Sequence, residues 1–255
     1  MVKKTALSLA LAAIGFALLV PCYAAAPVKI AAVAPVADLV AQVDARVKAL
    51  EEALKDNEEY TKAKPKLIPG DAAVLVVLAQ AIAESEEKAA WQATAADVRE
   101  AALALGKTKT YDDAKKEFAA LKEALGGKSS GAKVESDWAK LVRLGTVMDQ
   151  ITKRNSKFRS RVRKKDLTDA DFEEMVGDAT VLAVLALAVH DDTHEVKSKK
   201  AEDIELWKKF AKDYQVQASA ISAALKKKDI TAAADSWKKS GTICNDCHAK
   251  FKEGE

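Results

Sequence analysis

Gly70-Asp-Ala-Ala-Val-Leu-Val-Val-Leu-Ala-Gln-Ala-Ile82 and Gly177-Asp-Ala-Thr-Val-Leu-Ala-Val-Leu-Ala-Leu-Ala-Val189 match at nine of thirteen positions, with a shift of 177 − 70 = 107 residues. Each is an apolar run that contains no glycine or proline after its opening, which predicts a helix buried on most of its surface. A shift of about one small domain predicts two lobes, and excludes a solenoid of short repeats. Between the copies lies Gly126-Gly-Lys-Ser-Ser-Gly131, a flexible linker by composition.

Working outward, each lobe reads as four helices. In the first lobe (residues 30–126), Leu39, Val43, Val47, Leu50 and Leu54 recur at helical spacing, and Pro69-Gly70-Asp71 opens a second helix of about twenty residues. A third is predicted from Trp91 to Leu105. A fourth starts near Thr110, whose hydroxyl can cap it, and carries Tyr111, Ala114, Phe118, Leu121 and Leu125 on one face. After a linker at 127–134, the second lobe (135–255) repeats the plan, with helices expected at 136–160, 168–190, 201–227 and from 229 onward. The expected fold class is all-α, two tandem up-and-down four-helix bundles. Composition agrees, since only 5% of the 255 residues are aromatic and glycine and proline number 10 and 5, too few for a turn-rich β architecture.

Residues 1–24 read as a secretory signal peptide: Lys3 and Lys4, an apolar run from Ala6 to Val20, and small residues before a cut after Ala24. The competing reading, an uncleaved anchor, needs a longer apolar run of ~20 residues. The expected localisation is therefore export, to a bacterial periplasm, with no membrane span after cleavage. Removing the signal takes two lysines and no acids, so 41 basic against 38 acidic residues becomes 39 against 38. A near-neutral chain gives no argument for a nucleic-acid partner. One of the three cysteines, Cys22, leaves with the signal, and Cys244 and Cys247 alone make no disulfide framework.

Those two belong to Thr242-Ile-Cys-Asn-Asp-Cys-His-Ala-Lys-Phe251. A Cys-x-x-Cys-His run lets two thiols add to the vinyl groups of one haem while the adjacent imidazole takes an axial place on its iron. With three Cys and three His in 255 residues, chance produces such a run on the order of 4 × 10⁻⁴ times per chain. On a helix Cys244, Cys247 and His248 share a face, which continues the stripe Ile230, Ala233, Trp237 and Gly241 and runs on to Phe251. A redox dithiol would want its cysteines at a helix start, and a zinc site a second ligand pair. One covalent haem c is expected, with Cys244 and Cys247 as thioether anchors and His248 as proximal ligand. Because 255 − 248 = 7 residues follow His248, any group on the haem's other side must come from upstream.

In this the second lobe resembles the class II cytochromes c, the cytochrome c′ group, through Trp237, Gly241, Cys244, Cys247, His248, Phe251 and Lys252. The resemblance covers roughly residues 135 to 255 and implies a four-helix bundle whose last helix carries the haem motif. It also implies that the first helix of that bundle supplies the distal residue, a methionine in electron carriers or a non-ligating apolar residue in five-coordinate gas-binding members. Met148 is the methionine available there, with Leu144 or Val147 as apolar occupants of the same position. His190 and His194, at the end of the second helix of that bundle, are the remaining ligand candidates, or two exposed histidines at a helix end.

The implied function is single-electron transfer, not enzymatic, with a gas-binding haem protein as the alternative; a peroxidase would need a distal acid–base pair that is not evident. The basic run from Lys153 to Lys165 either docks an acidic redox partner or is a solvated helix end. The first lobe reads as a degenerate copy: aligning Phe118 with Trp237 puts Leu125, Lys128 and Ser129 where Cys244, Cys247 and His248 stand. Because family members pair through their first two helices, the resemblance implies that this lobe packs on the haem lobe as a built-in partner.

Overall fold

The computed structural model describes residues 29–135 and 137–252; the expected signal peptide and Ser136 lie outside them. Among the described residues the chain is all-α. It runs α1 (Val36–Ala53), α2 (Asn57–Ala63), α3 (Leu67–Glu84), α4 (Ala95–Gly106), α5 (Tyr111–Leu125), α6 (Leu144–Arg161), α7 (Asp169–Asp191), α8 (Ala201–Lys226) and α9 (Ile230–Phe251), with three short 3₁₀ turns between. Polar caps set several starts. The Thr110 hydroxyl accepts from the Asp113 amide at α5, and Thr168 and Asp171 form a reciprocal capping box at α7.

Several boundaries differ from expectation for local reasons. The short helix α2 has no long apolar stripe to announce it, and is held by the Asp56 cap. The third helix begins at Ala95, because Gln92–Thr94 forms a 3₁₀ turn first. The helix expected from residue 136 begins at Leu144, after a 3₁₀ turn at Trp138–Lys140 capped by Asp137. There Trp138 is buried and its indole N–H donates to Glu84 at the end of α3, 3.1 Å away.

The packing has two halves, α1 with α3 to α5 and α6 to α9, joined where α1 and α3 meet α6 and α7. One apolar core passes through this seam. The seam surrounds α3 and the part of α7 from Met175 onward, and these are the most apolar stretches of helix. Among the described residues Leu67–Glu84 is long and apolar enough to cross a membrane, but 67% of it is buried inside the protein, as suits a core helix.

At the seam the two repeats meet reciprocally. A Cβ placed on Gly70 would lie 2.5 Å from Gln150 Nε2, and one on Gly177 would lie 2.5 Å from Gln42 Nε2. Gln42 Oε1 accepts from Arg46 (3.0 Å), and Gln150 Oε1 accepts from Arg154 (2.8 Å). Gln150 and Arg154 stand 108 residues after Gln42 and Arg46, so the seam carries the sequence repeat into space as an approximate two-fold. Arg154 is almost fully buried, with Asp178 Oδ1 3.6 Å from its Nε; burial, with Arg46 nearby, pulls its guanidinium down to about 10. Further ties are the Ser219 hydroxyl to the Val33 carbonyl (2.8 Å) and an ion pair between Lys226 and Asp38.

The linker is not the loose connection its composition predicts. Gly127 and Gly131, both at positive φ, turn it back along α4. There Asp97 accepts from the Ser130 amide (2.8 Å), the Ala132 amide (3.1 Å) and the hydroxyls of Ser129 and Ser130. Arg99 donates to the Lys133 carbonyl (2.7 Å). Burial alone would raise the Asp97 carboxyl, but these hydrogen bonds outweigh it and hold it at about 2.

A folded value below the ordinary 3.8 means that this stabilisation is complete above that value and disappears as pH falls toward 2. Asp97→Asn is expected to unfold at lower urea than the parent protein at neutral pH. Urea titrations repeated between about pH 4 and pH 2 should show the gap closing; a constant gap would exclude the carboxylate as the linker's clasp.

Candidate functional site

The motif helix α9 is unusual in how little of it is covered. Ala233 and Ser240 are its buried residues, while Ile243, Cys244, Cys247 and Phe251 are half-buried and His248 is exposed. It packs principally on α8. Against it lies an apolar cleft. Its walls are Met148 and Ile151 of α6, Ala186 and Val189 of α7, Trp207, Phe210, Ala211 and Tyr214 of α8, and Ile243, Cys244, Cys247 and His248 of α9. A second, wider cleft, about 1010 Å³, shares Met148, Trp207, Cys247 and His248 and adds Leu144, Gly145 and the polar rim of Asp149, Thr152, Glu195 and Lys252.

Helical spacing builds the aromatic wall. Trp207, Phe210 and Tyr214 lie three and seven residues apart on α8, and so share a face. Phe251 meets Trp207 edge-on at 5.4 Å between centroids, and Phe210 at 6.4 Å. The Trp207 indole N–H donates to the Val189 carbonyl at 2.7 Å. That carbonyl belongs to the last turn of α7, which has no intrahelical partner to offer it, so Trp207 closes a helix end as well as forming a wall. Deeper in, the Tyr214 hydroxyl accepts from Asn155 Nδ2 at 3.3 Å, and burial, with Cys244 adjacent, pushes its phenol up. The Asn155 carbonyl oxygen is buried without a partner.

The sequence-predicted residues divide clearly. Cys244, Cys247, His248 and Met148 line one cleft; Leu144 joins Met148, Cys247 and His248 in the wider one, and Val147 is buried. His190 and His194 line neither: His190 Nδ1 is 2.8 Å from Asp191, and His194 pairs with Asp192 and with Glu195 (3.0 Å). The hydrogen bond to Asp192 raises the His194 imidazole, a setting for a protonated side chain and not for a ligand. Tyr214 and Asn155 escaped the sequence reading. For Tyr214 a signal existed, its register with Trp207; for Asn155 there was none.

The two thiols are free, and burial pushes both up to about 11. Reactive dithiols are held low by nearby positive charge or a helix N-terminus, the opposite of this setting. Among the described residues no group of three or more His, Cys, Asp and Glu assembles as an ion-binding set.

The basic run is largely spent within its own half. Arg154 faces Asp178; Arg161 pairs with Glu174 and lies near Asp171 and Asp178; Lys157 reaches Glu174 (3.2 Å) and Lys164 reaches Asp171 (2.8 Å). Arg159 lies over the Trp237 ring, itself packed on Phe158. Lys153, Arg163 and Lys165 have no ion pair among the described residues, which leaves a much smaller patch than the sequence suggests.

The first half is built differently at the corresponding place. At the position corresponding to the motif, α5 ends at Leu125, Gly126 caps it, and Ser129 has already turned to Asp97. The Thr94 hydroxyl donates to the Ala124 carbonyl (2.6 Å) and holds α4 hard against α5. Comparison with protein families, with curated proteins and with solved structures found no match for this chain.

Trp207→Phe keeps the aromatic wall but orphans the Val189 carbonyl. A loss of about 1–3 kcal/mol is expected in urea unfolding, and an unchanged midpoint would show that water replaces the indole without penalty.

Proposed function

We propose that this protein is an exported c-type cytochrome of the cytochrome c′ kind, holding one covalent haem in the cleft between α6 and α9 and transferring single electrons. The observation that carries this reading is the meeting of Cys244, Cys247 and His248 with the Met148 thioether in one apolar cleft. The residues also fit the group by what they leave open. Ile243, Cys244, Cys247 and Phe251 form an apolar face of α9 that is only half-buried, although it borders α8 and the core.

Cys244 and Cys247 would hold the haem by thioether bonds, His248 would supply the proximal imidazole, and Met148 is the candidate distal ligand. When bound, the haem supplies a one-electron iron couple. The aliphatic and aromatic side chains of the cleft exclude water, and Tyr214, held neutral by burial, adds no charge. A residual basic patch around Lys153, Arg163 and Lys165 suits a weakly bound acidic redox partner.

The second reading is a five-coordinate haem protein that binds a diatomic gas. Leu144 favours it, since this apolar side chain lines the same wide cleft as Met148.

Expression with a haem-attachment system followed by denaturing gel and mass analysis is expected to show one haem retained through Cys244 and Cys247. Substitution of both cysteines should abolish it. A low-spin ferrous spectrum indifferent to carbon monoxide supports electron transfer, and Met148→Ala should then convert it to a high-spin, gas-binding form. A high-spin parent spectrum would transfer support to the gas-binding reading, and absence of covalent haem would overturn both.

A further inference from the structure

We propose, taking the haem reading as given for what Met148 binds, that the haem-less first half is a backstop: through Gly70 and Gln150 it fixes how far α6, and with it Met148, stands from α9. Gly70 and Gln150 are then positioning residues for a distal side they do not touch.

The placement of α6 carries the inference. The helix packs on α7 and, from the first half, on α3. Its C-terminal end is tied to α9, where Phe158 packs on Trp237 at 5.6 Å and Arg159 lies over the same ring. Nearer Met148 the Asn155 to Tyr214 hydrogen bond, at 3.3 Å, is a thin tie across the cleft. The end of α6 that carries Met148 is thus backed mainly from behind. There a Cβ on Gly70 would fall 2.5 Å from Gln150 Nε2 and 3.3 Å from its Cδ.

Gln150 has no slack with which to absorb a push. It is 6% exposed, and its amide oxygen is engaged by Arg154, itself 3% exposed and facing Asp178 of α7. Met148 lies two positions earlier, about 200° around the helix at ~100° per residue, on the opposite side. Force applied at Gln150 is therefore directed toward the cleft, the side on which α6 has the least to resist it. Alanine at residue 70 adds that force with one methyl group.

The near two-fold of the seam provides its own control. Gly177→Ala adds a methyl on α7 that meets Gln42 of α1 more tightly, with Nε2 at 2.5 Å and Cδ and Oε1 at 2.8 Å, and α1 lines no part of the cleft. A purely structural role for the glycines predicts an effect of Gly177→Ala at least as large as that of Gly70→Ala; a backstop predicts that Gly70→Ala alone moves Met148.

Two measurements on the full chain test this. In a haem-free form, with Cys244 and Cys247 replaced by alanine, methyl-labelled methionine is followed by NMR, with fully buried Met175 as internal reference. Gly70→Ala is expected to shift the Met148 resonance and leave Met175, Gly177→Ala to leave both, and Gln150→Ala added to Gly70→Ala to restore Met148. In the haem-loaded protein, Gly70→Ala is expected to change the carbon-monoxide-binding fraction of the ferrous form by roughly threefold or more, with Gly177→Ala near the parent. Equal Met148 shifts in the two glycine variants, no shift in Gly70→Ala, or no restoration by Gln150→Ala would each overturn the proposal. If Gly70→Ala does not fold, Gln150→Ala alone opens a gap behind α6 and must move Met148 for the proposal to stand. Should the chain take up no haem, the functional reading fails and the NMR measurement still decides this one.

Discussion

The packing of Gln150 over Gly70 and of Gln42 over Gly177 is the constraint on which the rest of the molecule depends. A side chain at either position would meet a glutamine from the other half, so the two glycines let α3 meet α6 and α7 meet α1. With the helices so placed, α3 and the part of α7 from Met175 onward are largely buried, which is why those stretches are mostly apolar while α7 opens on acids. The glutamines in turn hold Arg46 and Arg154, and a buried guanidinium is tolerable only with partners such as Gln150 and Asp178 around it. Hydrophobic burial supplies the attraction between halves, and this polar set fixes their register.

Much of this was legible in the sequence because the strongest signals were long. The repeat around Gly70 and Gly177 and the apolar stripes of α1, α5, α7 and α8 predict the helices to within a few residues. The start of α6 was misjudged because Asp137 caps a 3₁₀ turn whose period differs little from a helix over three residues. The linker was misjudged for another reason. Gly, Ser and Lys do describe a flexible segment, but its order comes from Asp97, more than thirty residues away, and long-range hydrogen bonds leave no local periodicity.

The candidate site was legible to the extent that its chemistry is contiguous. Cys244, Cys247 and His248 declare themselves as a motif, and Met148 stands out because methionine is scarce. Tyr214 is an ordinary core residue by type, and only the register it shares with Trp207 marks it. Asn155 carries no signal, since it is defined by an unsatisfied buried side-chain oxygen, a property of the assembled bundle. The basic run looked like a docking surface because its counter-charges, Asp171, Glu174 and Asp178, sit on a different helix.

How the second half keeps its cleft follows from a competition. Apolar faces on adjacent helices gain roughly 25 cal/mol for every Å² they bury, so an open slot lined by Ile151, Trp207, Phe210 and Ile243 is under pressure to collapse. In the first half nothing resists: Thr94 locks α4 onto α5, and α5 stops where the corresponding helix would begin to stand away. In the second half, collapse would require α6 to leave the seam, giving up the contacts of Gln150 and Arg154 with α3 and α7. It would also require the aromatic wall to break the Trp207 bond that closes the end of α7. On the proposed arrangement the first half has a physical use, because the surface it presents to α6 opposes the closing of the cleft on the far side.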